Sequence, residues 1–368
     1  MPISLNSNLP GDSKSCNKGL CANPSAGCLE RLSKRLHIGL INNMPDGALE
    51  ATERQFLSLL EAASDGFSIT LSLYALPGVP RGEAAERYVR TCYASAESLW
   101  GTTLDGLIVT GREPLTPNLR DEPYWDSFTR VLEWAQTNTY STVWSCLAAH
   151  AAILHMDGIG RIRNSNKHCG IFECEQISHH ALTAGTPSLF RLPHSRWNGL
   201  SEDALTACGY QVLTQCADAG VDTFVKQQNS LFVYFQGRPE YESHTLLLEY
   251  RRDVGRYLRG ETDTYPLLPR NYFDWQTAAA LAGLQQKAIY CRREELVAEV
   301  SNVLAETSIE NTWRTTAAGI YKNWLQYIAA QKKLQLQSCL ATPDAPAPAS
   351  ADSFAMVNGH TQHFQTAL

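Results

Sequence analysis

The chain has 368 residues, with 31 Lys plus Arg against 37 Asp plus Glu and a net charge of −6. Hydrophobic residues are 44% and charged ones 18%, which excludes wholesale disorder and lets a chain this long fold without disulfides or a metal. The mild acidity argues against a general nucleic-acid binder, and no apolar run reaches the ~18 residues of a membrane span. Small-molecule partners, with no nucleic acid and no membrane, are therefore expected. The start, MPISLNSNLPGDSKSC, has no apolar centre like that of a signal peptide, so a cytoplasmic location is expected.

Residues 1–34 read as a flexible leader carrying Cys16, Cys21 and Cys28 as free thiols; among the eleven cysteines no set has metal-binding spacing, and no metal is expected. LHIGLI (36–41) is a short apolar run with branched residues, the mark of a buried strand. LEATERQFLSLLEA (49–62) sets Phe56, Leu59 and Leu60 at helical spacing, with Glu53 and Gln55 outside. FSITLSLYAL (67–76) alternates like a strand, a helix covers about 84–98, and LDGLIVTG (104–111) is a second buried strand ending in a glycine. An irregular loop, REPLTPNLRDEP, leads to the helix WDSFTRVLEWAQ, and STVWSCLAAHAAILHM (141–156) reads as strand, sharp turn, helix. This alternation predicts an α/β fold with a mostly parallel, doubly wound sheet.

Further on, IRNSNKHCGIFECE reads as a turn-rich piece and a short strand, and LPHSRWN as a loop carrying His194 and Arg196. GYQVLTQC and VDTFVKQQNSLFVYFQ are successive strands, and a helix follows to Leu258. Residues 35–275 thus form the α/β domain, 276–336 a helical extension, and 337–368 a disordered tail rich in Pro, Ala and Ser. The apolar faces of the C-terminal helices suggest a homodimer.

The sharpest local feature is Cys146. It follows an apolar strand and precedes a run of small residues that let a helix start at once. A thiol there sits at the carboxyl end of the sheet, where open α/β folds bind ligands. Helix-start amides at that place favour a thiolate and bind a developing oxyanion. An inert buried cysteine is the alternative. Past the strand SLFVYFQ lie Arg238 and Glu240. A carboxylate there commonly orients a base, but a guanidinium cannot take a proton at ordinary pH; a structural ion pair is the plain alternative. In EYRRD one of two adjacent arginines can turn inward and clamp a carboxylate. Phosphate-loop, dinucleotide and zincin motifs are absent.

INNMPDGALEATERQF, DGLIVTG, PYWDSFTRVLEWA, STVWSCLAAHAAILHMDGI, GIFEC, LPHSRWN and FQGRPEYESHTLLLEYRRDV together resemble the MetA-type homoserine O-acyltransferases. The resemblance implies a flavodoxin-like, class I glutamine amidotransferase-like fold and succinyl or acetyl transfer from an acyl-CoA substrate to L-homoserine in methionine biosynthesis, with no cofactor. It implies Cys146 as the acyl-bearing nucleophile, Glu240 as the acid of the catalytic set, and Arg252, with Arg196, as carboxylate binders. Gly111 opens the loop in which the donor is read. The family's histidine falls on Arg238. That departure keeps open, as the alternative to acyl transfer to homoserine, an impaired or regulatory homologue or a changed acceptor such as serine, with His194 the leading replacement base.

Overall fold

The structure is a computed structural model that describes residues 3–5 and 26–341. Mostly buried runs build the parallel half of the sheet. In chain order its strands are a short, largely exposed edge β1 (Ile3–Leu5), then β2 (Arg35–Ile41), β3 (Ser68–Tyr74), β4 (Gly106–Thr110), β5 (Ser141–Ser145) and, much later, β10 (Leu231–Phe235). Every residue of β4, β5 and β10 is buried. Such strands need cover on both faces. Register fixes the centre: Val143 of β5 lies between Ile108 of β4 and Val233 of β10.

An antiparallel wing continues the sheet through β9 (Gly220–Gln227), β8 (Gln211–Cys216), β6 (Ile162–Gln176) and β7 (Leu189–Gly199). The full order is β1-β3-β2-β4-β5-β10-β9-β8-β6-β7. Alternate residues feed two cores. One face takes Ile38, Ile108, Val143 and Val233. Against it pack α2 (Leu49–Ala63), α8 (Thr245–Leu258), α9 (Trp275–Tyr290), α10 (Leu296–Ala305) and α11 (Arg314–Ala341). The other face takes Leu107, Trp144, Phe232 and Tyr234 under α5 (Trp125–Asn138), α6 (Leu147–Asp157) and α7 (Glu202–Ala207). Two short helices, α3 (Glu83–Cys92) and α4 (Ala96–Leu99), follow β3, and α1 (Ala26–Ser33) precedes β2.

Several expectations change. The leader is not loose throughout: Ile3–Leu5 pairs with β3, and Cys28 is half-buried in α1. Cys16 and Cys21 lie outside the described residues, as does the tail beyond 341; α11 itself passes residue 336. The piece read as turn-rich is a 15-residue strand, β6, and the loop read at LPHSRWN is β7. Edge polarity hid both: β6 begins in solvent with polar residues, so its alternation is weak. In α2, Gln55 points inward and donates to Thr245 Oγ1 at 2.8 Å, and Glu53 accepts from the Tyr88 and Tyr93 hydroxyls. The apolar side of α11, with Ile320, Trp324, Leu325 and Ile328, is buried within its own chain. Among the described residues no helix is long and apolar enough to cross a membrane.

Candidate active site

Strand β5 ends at Ser145 and α6 begins at Leu147, so the chain must turn within one residue. Cys146 makes that turn at φ +53° and ψ −111°, a region where any side chain is strained by ~1–3 kcal/mol. Neighbours hold it there. Its amide donates to Phe235 O at 2.7 Å, and its carbonyl accepts from the amides of Ala149 and His150. The small residues of α6 let the helix pack at once. Gly111, at the end of β4, completes the corner. A Cβ there would lie 2.5 Å from Ala148 N and 2.6 Å from Leu147 Cβ. Only glycine lets β4 end against the first turn of α6. Cys146 is a free thiol, 7% exposed.

Beyond β10 the chain crosses beside this corner. Arg238 and Glu240 are buried, with Arg238 Nη1 3.3 Å from Glu240 Oε1, and Ser145 Oγ donates to the same oxygen at 3.4 Å. Burial pulls Arg238 down, but the charges of Cys146, Tyr241, Glu240 and Glu249 outweigh it and hold the guanidinium well above its ordinary range. Burial pushes Glu240 up, and Arg238 only partly pulls it back.

His194 and Arg196, two apart on β7, share one face. His194 is fully buried, with Nε2 3.3 Å from Asp222 Oδ1. Arg196 Nε donates to His194 Nδ1 at 3.2 Å, which leaves the ring proton on Nε2, toward Asp222. Asp222 also accepts from Gly237 N and from the Thr214 and Thr223 hydroxyls. Gly237 allows this closeness, since a Cβ there would lie 2.7 Å from Asp222 Oδ1 and 3.2 Å from His194 Nε2. Burial lowers the His194 pKa, with Asp222 pulling the other way, so the ring is neutral. Arg196 is 4% exposed; burial lowers its pKa, against Asp222 and Cys146. Arg196 thus links His194 to the neighbourhood of Cys146.

This corrects the reading drawn from position 238. Arginine there does not mean that the site lacks its histidine, and activity is not in doubt on that ground. His194 is intact and held in a buried cluster with Asp222, Cys174 and Cys216, whose donor atoms lie within 4.8 Å of one another. The same four groups could hold a metal ion by position, where none was expected. The two sulfurs, however, are joined as a disulfide, and Cys216 Sγ lies 3.6 Å from His194 Nε2.

Arg252 does not turn inward. Its side chain is 48% exposed and pairs with Asp253 at 2.8 Å. The inward group of α8 is Glu249, which accepts from Ser195 Oγ and Tyr241 OH, both at 2.5 Å, and lies 3.8 Å from Lys167 Nζ. Lys167 also pairs with Asp253 at 3.0 Å. Sequence reasoning missed Asp222, Lys167, Ser195 and Glu249. Asp222 had a signal, because a carboxylate inside the apolar strand Val221–Val225 requires a buried partner.

A family model described as "HTS: Homoserine O-succinyltransferase" matches residues 2–334. A homoserine O-succinyltransferase of Rhodopseudomonas palustris is 44% identical over 84% of this chain and 92% of its own. Another from Methylorubrum extorquens is 43% identical over 82% and 89%. A solved glutamine amido transferase from Methylobacillus Flagellatus superposes with a TM-score of 0.44 at 14% identity, over 80% of this chain and 95% of that one.

Proposed function

Because the chain belongs to the homoserine O-succinyltransferase family, we propose that it moves an acyl group from an acyl-CoA to the hydroxyl of L-homoserine through a thioester on Cys146. The observation that carries this reading is the one-residue turn that sets the Cys146 sulfur at a helix start, within reach of the charges of two buried arginines.

In the first step the thiolate attacks the thioester carbonyl. Amides at the start of α6 hold the oxyanion, a contribution of ~3 kcal/mol per donor. Collapse breaks the carbon–sulfur bond to CoA, which leaves as a thiolate, and Cys146 keeps the acyl group. One thioester replaces another, so the exchange is nearly balanced in energy. In the second step the homoserine hydroxyl attacks the acyl carbon, Cys146 departs as a thiolate, and the hydroxyl proton passes to a base. His194 suits that role. Asp222 fixes the proton on Nε2, so the lone pair on Nδ1 is the acceptor. Arg196 occupies Nδ1 at rest; drawn to the substrate carboxylate, it would free that nitrogen. Arg238 supplies charge beside the sulfur and orders Glu240. Lys167 and Glu249, with Arg252 at the rim, offer both signs of charge to a zwitterionic amino acid, beside the Ser195 hydroxyl. A cytoplasmic location, alongside the acyl-CoA donor, is part of the same proposal.

Intact-mass spectrometry after mixing with succinyl-CoA or acetyl-CoA tests the first step. The expected result is one acyl adduct on the wild type and none on Cys146→Ala. No adduct with either donor, or an adduct that survives in Cys146→Ala, overturns the reading.

A further inference from the structure

The antiparallel wing brings four metal-binding side chains to one point, and the reaction proposed above uses only two of them. Cys174 of β6 and Cys216 of β8 stand directly opposite each other across their strand pair. His194 of β7 and Asp222 of β9 complete the group. Their donor atoms all lie within 4.8 Å of one another, and none of the four residues is more than 1% exposed. His194 Nε2 is 3.6 Å from Cys216 Sγ and 3.3 Å from Asp222 Oδ1.

Those two separations match the edges of a tetrahedron around zinc. With Zn–S of ~2.3 Å and Zn–N and Zn–O of ~2.0 Å, a sulfur and a nitrogen ligand stand ~3.5 Å apart, and a nitrogen and an oxygen ligand ~3.3 Å. Two sulfurs, an imidazole and a carboxylate suit zinc, whereas calcium and magnesium take oxygen alone. The carboxylate is aimed by outer partners, as in built metal sites. Asp222 Oδ2 accepts from the Thr214 and Thr223 hydroxyls at 2.8 and 2.7 Å, and Oδ1 from Gly237 N at 3.0 Å. Phe172 meets the His194 ring edge-on at 5.2 Å and keeps one side dry.

Charge balance points the same way. A buried complex with net charge is costly. With the sulfurs joined and the imidazole neutral, Asp222 and buried Arg196 cancel. Two thiolates cancel the charge of Zn²⁺, so the group is neutral with the ion as well.

The disulfide and the ion exclude each other, because only a thiolate ligates a metal. The chain is synthesised with both cysteines as thiols, and a reducing compartment keeps such pairs reduced. Once formed, the bond opens by taking two electrons and two protons from a dithiol, which itself closes to a disulfide. Zinc then displaces one proton from each thiol. The proton on His194 Nε2 moves to Nδ1 and replaces the contact from Arg196 Nε.

We propose that Cys174, Cys216, His194 and Asp222 form a zinc site that is open in the dithiol form of the protein and closed by the Cys174–Cys216 disulfide. Bound zinc holds Nε2 and leaves a proton on Nδ1, so His194 no longer accepts from the homoserine hydroxyl. That consequence rests on the His194 reading of the second step; the site itself does not.

The test titrates the full chain with Co²⁺ and then Zn²⁺, after reduction with a phosphine or with the disulfide intact. Cys146→Ala serves as the background, so that the nucleophile contributes no ligand. The reduced protein should gain the intense visible bands and the sulfur-to-cobalt charge-transfer band of a tetrahedral thiolate site, saturating at one equivalent and bleached by Zn²⁺. The disulfide form should gain neither. Cys174→Ser and Cys216→Ser should each lose the charge-transfer intensity although exposed Cys291 and Cys339 remain. X-ray absorption on the zinc-loaded parent needs no such variant, and should show two sulfur and two nitrogen or oxygen ligands. No thiolate band in the reduced protein, or the same band in both Ser variants, overturns the proposal. On the isolated wild-type acyl-enzyme, where the Cys146 sulfur is already occupied, one equivalent of Zn²⁺ should slow transfer to homoserine ~100-fold. Zinc seated as described with transfer undiminished would overturn the His194 reading and leave the site standing.

Discussion

His150 shows how one buried side chain couples the site to pH. Burial, helped by the charges of Arg196 and Arg161, lowers its pKa to about 3. In the unfolded chain the same ring takes a proton near pH ~6.5. Below that value the unfolded state binds more protons, so stability falls as pH falls, by ~1.4 kcal/mol per pH unit from this residue. Urea titrations at pH ~6.5 and ~5 should show this slope, and His150→Gln should lose that share of it. An identical slope in the variant would mean that the ring is already charged in the folded state. Asp222 is a second residue whose role can be isolated. Asp222→Asn removes the carboxylate that fixes the His194 tautomer, and kcat should fall by roughly 10²–10⁴ with a smaller change in KM, together with a shifted pH–rate profile. Unchanged kcat and profile would make the pair purely structural. Gly111→Ala places a methyl 2.5 Å from Ala148 N. Because the backbone there must shift, the acylation rate should drop roughly 100-fold in stopped-flow measurements.

Among the elements, α11 does more than cover the sheet. Trp313, just ahead of it, donates from Nε1 to Tyr241 O at 2.7 Å, and Trp324 donates to Ser141 Oγ at 2.9 Å. Tyr321 stacks on Phe235, whose carbonyl receives the Cys146 amide. The helix thus backs both strands that flank the nucleophile. Trp313→Phe leaves the Tyr241 carbonyl buried without a donor and should cost ~1–3 kcal/mol in urea unfolding; no loss would show that another donor takes its place. The parallel strands were legible because short runs such as LHIGLI and STVWS carry branched, aromatic or small residues on both faces with no charged side chain, as strands covered on both sides require. The antiparallel wing was not. Its edge strand β7 alternates buried His194 and Arg196 with outer Ser195 and Trp197, a pattern of polar residues inside that hydropathy cannot distinguish from a loop. Cys146 could be placed from local sequence alone. His194 and Asp222 could not, because their pairing is made only when β7 and β9 fold against the loop after β10. The same distance made Arg238 look like a missing base.

For the molecule as a whole, the site lies where the two halves of the sheet meet. The parallel half supplies Gly111 and the Cys146 corner. The antiparallel wing brings His194, Arg196 and Asp222 to the same end, and the crossing from β10 to α8 adds Arg238, Glu240 and Glu249. Neither half alone holds Cys146, the His194–Asp222 pair and the charged groups around them. The most direct measurement of this account isolates the acyl-enzyme free of CoA, adds L-homoserine, and follows both the protein mass and the ester product. The account predicts that the acyl mass leaves Cys146 as O-acylhomoserine appears in equal amount, far faster than it is lost to water. Loss at the same rate with and without homoserine, and no ester, would contradict it.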